Sequence, residues 1–150
     1  MIKQSGNQSP KEEPAHRKVS PAIREAAAKL ALSHDPVPAD LFDATASAIA
    51  AELANTKDKF NRPNQIRRFY DELVTWQQRI KDDEDAFKKH EAFIRMMNAK
   101  VAYAKGRDLV DANFEHWFGA GIKATTSARA LKHFQLHFEA MLGFLKGLRG

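Results

Sequence analysis

Apolar positions are sparse over the first nineteen residues and then recur at helical spacing to the end of the chain. The opening stretch is rich in Gln, Ser, Pro, Lys and Glu and offers too little apolar surface to offset the entropy of ordering. Residues 1–19 are therefore expected to be a flexible arm. Ser20 followed by Pro21 has the form of an N-cap and a first helical position, opening "AIREAAAKLAL", and "SHDPVP" at 33–38 ends that helix.

From Asp40 onward Leu41, Phe42, Ala48, Ile49 and Leu53 keep a roughly helical rhythm, until "NTKDKFNRP" stops it. A third helix follows Pro63, with Ile66, Phe69, Tyr70, Leu73 and Ile80 in step and Trp76 widening the stripe. "DDED" at 82–85 marks a turn or a helix start, where carboxylates suit the macrodipole. A fourth helix carries Phe87, Phe93, Ile94, Met97, Val101 and Ala104 before Gly106, and Asp108 is expected to cap the next. That helix, "LVDANFEHWF", is expected to end near "GAG" at 119–121. "TTS" at 125–127 then caps a last run carrying Leu131, Phe134, Phe138, Met141, Leu142 and Leu145. No alternating strand pattern of useful length appears. The expected fold is all-α, a compact bundle of five to six helices in a single domain over residues 20–150.

Composition narrows the chemistry. The chain of 150 residues has no cysteine, which excludes disulfides, thiolate metal sites and cysteine nucleophiles. Its net charge of +5 and pI near 9.5 permit a nucleic acid, an anionic membrane or an acidic protein as partner. The N-terminal stretch lacks the apolar core of a signal peptide, and no apolar run is long enough to cross a bilayer. The expectation is a soluble, cytoplasmic protein that does not engage a membrane.

Charge placement chooses among the partners. Residues 57–68 hold Lys57, Lys59, Arg62, Arg67 and Arg68 against one acid, Asp58. Residues 95–107 hold Arg95, Lys100, Lys105 and Arg107 against none. Lys100, Tyr103 and Arg107, spaced i, i+3 and i+7, share one helical strip beside the apolar strip of Phe93, Met97 and Val101. Such a strip offers a phosphate chain repeated cations and a planar group that can stack. Gln65 and Arg68, near a helix N-terminus, can add a second phosphate contact. The two segments make one groove only if their helices are neighbours.

Other chemistries are less well supported. His133 and His137 are spaced i, i+4 as paired metal ligands would be, with Glu139 nearby, but they lack a zincin's glutamate and sit beside core-like Phe134 and Phe138. They read as structural. His90 and His116 stand alone and read as solvated or locally satisfied. "GAGIKATTS" at 119–127 follows a helix instead of a strand and lacks phosphate-loop spacing, and the acids at 82–85 read as a solvated helix start. No nucleophile with a base and no paired carboxylates are legible, so no enzyme, metal or cofactor is expected. The last helix has the make-up of a basic amphipathic membrane binder, yet in a bundle its apolar face is core. A small helix-turn-helix DNA-binding protein and a protein-only adaptor stand as alternatives.

Read together, "NQIRRFYDEL" at 64–73, "FIRMMNAKVAYAKGR" at 93–107, "LVDANFEHWF" at 109–118 and "LKHFQLHFEAMLGFLK" at 131–146 resemble the small helical subunit of type III-A CRISPR effector complexes, the Csm complex. The resemblance covers about residues 61–146, and residues 1–39 have no counterpart in it. It implies a compact all-α, non-catalytic subunit. Several copies would stack along a guide RNA–target RNA duplex, opposite a filament of nuclease-bearing backbone subunits. Its partners would be the guide RNA, the target RNA, other Csm subunits and further copies of itself. Gln65, Arg67, Arg68, Lys100, Tyr103, Lys105 and Arg107 fall in the matched basic segments, and Lys123 follows a matched helix. With Lys59 and Arg62 from the charged stretch before the third helix, these are the candidate RNA-binding residues.

Overall fold

The computed structural model describes residues 14–149, and these form helices α1 (Pro21–Ala28), α2 (Ala44–Ala54), α3 (Pro63–Ile80), α4 (Glu84–Arg95), α5 (Met97–Gly106), α6 (Ala112–Ala124) and α7 (Ala128–Arg149). Met96, between α4 and α5, keeps helical dihedrals, so those two segments run on as one rod. Counted that way there are six helices, and there is no strand among the described residues. The all-α bundle is as expected. Residues 1–13 of the expected arm lie outside the described residues. Within 14–19 a 3-10 turn, Ala15–Arg17, lies on the bundle, with the His16 ring stacked on Phe60 at 4.6 Å.

Local signals fix the helix starts. Ser20 Oγ accepts from the Ile23 amide, Asp83 Oδ1 from the amides of Asp85 and Ala86, and Ser127 Oγ from Ala130. Each satisfies a donor that a helix start leaves unpaired, worth about 1 kcal/mol. Glu84, from the acidic run, accepts from the Ala128 amide at 2.8 Å and so caps α7 from a different helix.

The bundle is built on α7. Leu131, Phe134, Phe138, Met141, Leu142 and Leu145 are buried, chiefly against α2 and α3, so the face that a membrane would need is already occupied. Phe114, Trp117 and Phe118 of α6 interleave with Phe134 and Phe138 at ring separations of 5.0–6.3 Å, apart from their contacts within α6. Burying each such ring stabilises by roughly 1.5–3 kcal/mol, an upper figure given residual burial in the unfolded chain. Gly121 lets α6 and α7 approach, because a Cβ there would run into the Phe134 ring.

Five expectations are corrected. Helix α1 ends at Ala28, short of Leu32, because Leu30 and Leu32 are both buried in the irregular segment that follows. Leu41 and Phe42 lie in a separate 3-10 turn, Ala39–Phe42, and Ala48 on α2 is exposed. Phe93 is 52% exposed instead of joining the buried stripe. The cap of α6 is Asp111, which accepts from Phe114, whereas Asp108 sits at φ 59 and its carboxylate reaches Lys59 at 3.9 Å. Finally, α6 runs through "GAG" to Ala124, since its glycines face tight packing or lie within regular helix.

Asn61 ties the loops together. It is fully buried with φ 57, a left-handed conformation asparagine tolerates. Its Nδ2 donates to the Leu53 carbonyl at 3.1 Å, its Oδ1 accepts from the Asp111 amide at 3.0 Å, and its own amide donates to Leu109. Burial pushes the Asp111 carboxyl upward, against the hydrogen bonds it accepts.

The element that carries the charged segments is an antiparallel hairpin. Helix α3 runs out, the chain turns at Lys81 (φ 53), and α4 and α5 run back beside it. Trp76 meets His90 and Phe93, and farther along Glu72 meets Lys100.

Candidate nucleic-acid interface

Helical phase decides which α3 side chains face α5. Gln65, Arg68 and Glu72 fall on one side of α3 at i, i+3 and i+7, and Lys100, Tyr103 and Arg107 repeat that spacing on α5. In the folded chain these six line a single groove of about 440 Å³, floored by Phe69, Ala104 and Leu109. Two segments some thirty residues apart in sequence thus share one surface.

Inside the groove the charges are partly engaged. Lys100 Nζ donates to both Glu72 oxygens at 3.0 Å. Arg107 packs on the helical turn before it, its guanidinium 5.8 Å from the Tyr103 ring centroid and donating to the Tyr103 hydroxyl at 3.2 Å. The tyrosine remains 66% exposed. Among the described residues neither Arg68 nor Arg107 pairs with a carboxylate. Two free guanidiniums and one neutralised ammonium around a phenol suit a phosphate oxygen, which accepts bidentate hydrogen bonds from arginine.

The other candidate residues lie elsewhere. Arg67 is one residue, or 100° of helix, from Arg68; it pairs with Asp71 at 3.7 Å and lies 5.9 Å from the Tyr70 ring, outside the groove. Tyr70 itself is committed to α7, donating to Glu139 at 2.9 Å, and burial raises its pKa. Lys105 turns toward α6 and pairs with Glu115 at 3.3 Å, beside Arg17 and Asp108. Lys59 pairs loosely with Asp108, and Arg62 sits in a cleft with Asp58, Lys146 and Arg149. Lys123 lines a third depression between α1 and α6 with Arg24 and His116.

Glu72 is a groove residue that the cation pattern does not single out, although its position i+4 to Arg68 and i+7 to Gln65 puts it on the same helical face. The histidine pair has a clear structural role. His133 Nδ1 contacts the Leu32 carbonyl at 2.6 Å. His137 is wholly buried, with Nδ1 donating to Leu41 O at 2.6 Å and Nε2 accepting from Trp117 Nε1 at 3.0 Å. Those partners fix the neutral tautomer, and burial lowers its pKa. No group of metal-ligating side chains occurs among the described residues, and no helix there is long and apolar enough to cross a membrane.

The fold and the groove define a small, basic, all-helical protein with a cation-lined surface. The Csm2 Type III-A family matches residues 37–149 of the 150. The chain belongs to this family and is a subunit of a type III-A CRISPR effector, working with the other subunits of the Csm complex. The match takes in α2 as well as the segments that carry the sequence resemblance, and α1 lies outside it. No curated protein matches, and no solved structure does.

Proposed function

We propose that this subunit is a non-catalytic RNA-holding element of the Csm effector, gripping the guide RNA–target RNA duplex through the groove between α3 and α5. Several copies stack along that duplex in the cytoplasm. The observation that carries this reading is the convergence of Gln65, Arg68, Lys100, Tyr103 and Arg107 in one groove. Its two unpaired arginines read phosphate geometry, which is common to every sequence. Base pairing between guide and target supplies the specificity. Lys105, Lys59, Arg62 and Lys123 flank the groove or lie apart from it and contribute long-range attraction; Arg67 does the same from the adjoining face of α3.

A holding role without catalysis accords with the buried polar groups, which serve packing. Burial acts on Tyr70, Asp111 and His137, and each is held by hydrogen bonds that hold the bundle together. Affinity purification of the tagged chain from its native host, with RNA sequencing and mass spectrometry, tests the reading. Guide-length RNA and several copies of the chain per complex are expected. A complex that assembles with RNA but in which RNA crosslinks map away from α3 and α5 would overturn the groove assignment.

A further inference from the structure

The face of α3 that lines the groove does not stop at Glu72. Trp76 and Arg79 follow at i+4 and i+7 on the same side, and Phe93 of α4 and Met96 at the α4–α5 junction share the helical phase of Lys100 and Tyr103 of α5. The Trp76 and Phe93 rings are nearly parallel, 7° apart in tilt with centroids 6.2 Å apart, and His90 packs on Trp76 at 5.4 Å. The Arg79 guanidinium lies 5.1 Å from the Trp76 centroid. Phe93 and Met96 are each more than half exposed, and with Tyr103 they supply three of the five large apolar side chains exposed on the described surface.

Phe93 and Met96 lie exposed beside the partly buried Trp76, an apolar cluster of the kind that receives an occupant. Charge selects it. Arg79 has no carboxylate partner among the described residues, nor has Lys89, one helical turn before Phe93; the nearby Glu91 is engaged by Arg95 at 2.7 Å. The surface is continuous with the cationic groove, since Trp76 lies eight residues from Arg68, about 12 Å along the helix axis. Aromatic rings under a guanidinium, reached from a phosphate-binding groove, are the chemistry of base stacking.

We propose that Trp76, Phe93 and Arg79 form a nucleobase-stacking platform for unpaired RNA, placed where a strand held in the groove leaves it. The platform rests on the reading of the groove as an RNA-backbone site. Bases stack without sequence preference on the exposed Phe93 ring, which the partly buried Trp76 ring backs, and Arg79 holds the adjoining phosphate.

The chain reports on this site itself. It has two tryptophans, and Trp117 is wholly buried and bonded to His137, so an RNA-dependent emission change belongs to Trp76. The full-length chain is titrated at low salt with a short single-stranded oligouridylate and, separately, with an abasic ribose-phosphate chain of equal length, while anisotropy of labelled strands reports binding. Quenching by the oligouridylate, its absence with the abasic chain, and roughly 5- to 150-fold weaker oligouridylate binding by Phe93→Ala are expected, the range for loss of a stacked base. Phe93 is exposed enough that its removal leaves the fold intact, which circular dichroism checks, and Trp76→Phe removes the signal while keeping a ring. Oligouridylate that binds without quenching and with equal affinity for Phe93→Ala overturns the platform and leaves the groove standing. A chain that binds neither strand overturns both. If Phe93→Ala keeps RNA affinity but sheds a Csm subunit in purification, the face docks protein, and the platform is wrong.

Discussion

Replacing Glu72 by Gln should strengthen RNA binding, because Glu72 is the one carboxylate among the groove-lining residues and it occupies Lys100. A phosphate seated between Arg68 and Arg107 would lie several ångströms from it. At about 7 Å the repulsion is about 0.6 kcal/mol in bulk water and about 2.4 kcal/mol at an effective dielectric of 20, before salt screening. An affinity gain of roughly 3- to 10-fold at low salt follows. The freed Lys100 should also add about 0.7–0.9 to the magnitude of the slope of log affinity against log salt. The pair is solvent-facing, so its loss changes stability by no more than about 1 kcal/mol. Anisotropy titrations across a salt series read both quantities. Weaker binding with an unchanged slope would refute this account, showing that Glu72 holds Lys100 in place without competing with phosphate.

Asn61→Ala leaves the Leu53 carbonyl and the Asp111 amide without partners and forces alanine to φ 57. A loss of about 3–5 kcal/mol in urea unfolding is expected, of which Asn61→Gly restores only the backbone part of about 1 kcal/mol; a loss under 1 kcal/mol would contradict it. His137 is held neutral by burial, with its pKa lowered below the unfolded value of about 6.5. Below that pH the unfolded chain binds a proton that the native chain refuses, so stability falls toward acid by up to about 1.4 kcal/mol per pH unit until the folded pKa is reached. Thermal melts from pH 7.5 to 5 check this, and His137→Gln should flatten the acid limb; an equal slope in both proteins would sink the assignment.

The helices were legible because their apolar positions keep a helical period and their caps are conventional: Ser20 before Pro21, Asp83, and Ser127 all cap as their side chains dictate. What was not legible depended on tertiary competition. Phe93 has the spacing of a core residue, yet it stacks on the outer side of the partly buried Trp76 and stays at the surface. Asp108 and Asp111 are both plausible caps in sequence, and only the left-handed backbone at Asp108 separates them. Gly119 and Gly121 look like a helix stop until the Phe134 ring is seen against Gly121. For the groove, sequence named Gln65, Arg68, Lys100, Tyr103 and Arg107, and helix packing brought them together. It equally named Arg67, Lys105 and Lys123, whose directions depend on neighbours that no local pattern specifies.

The most direct test of the shared groove is the salt dependence of RNA binding by the Arg68→Ala, Arg107→Ala double variant, measured on RNAs of unrelated sequence. Loss of two phosphate contacts should reduce the slope by about 1.4–1.8, by the same amount for every sequence. A slope equal to that of the parent chain would show that the α3–α5 groove does not hold the RNA backbone.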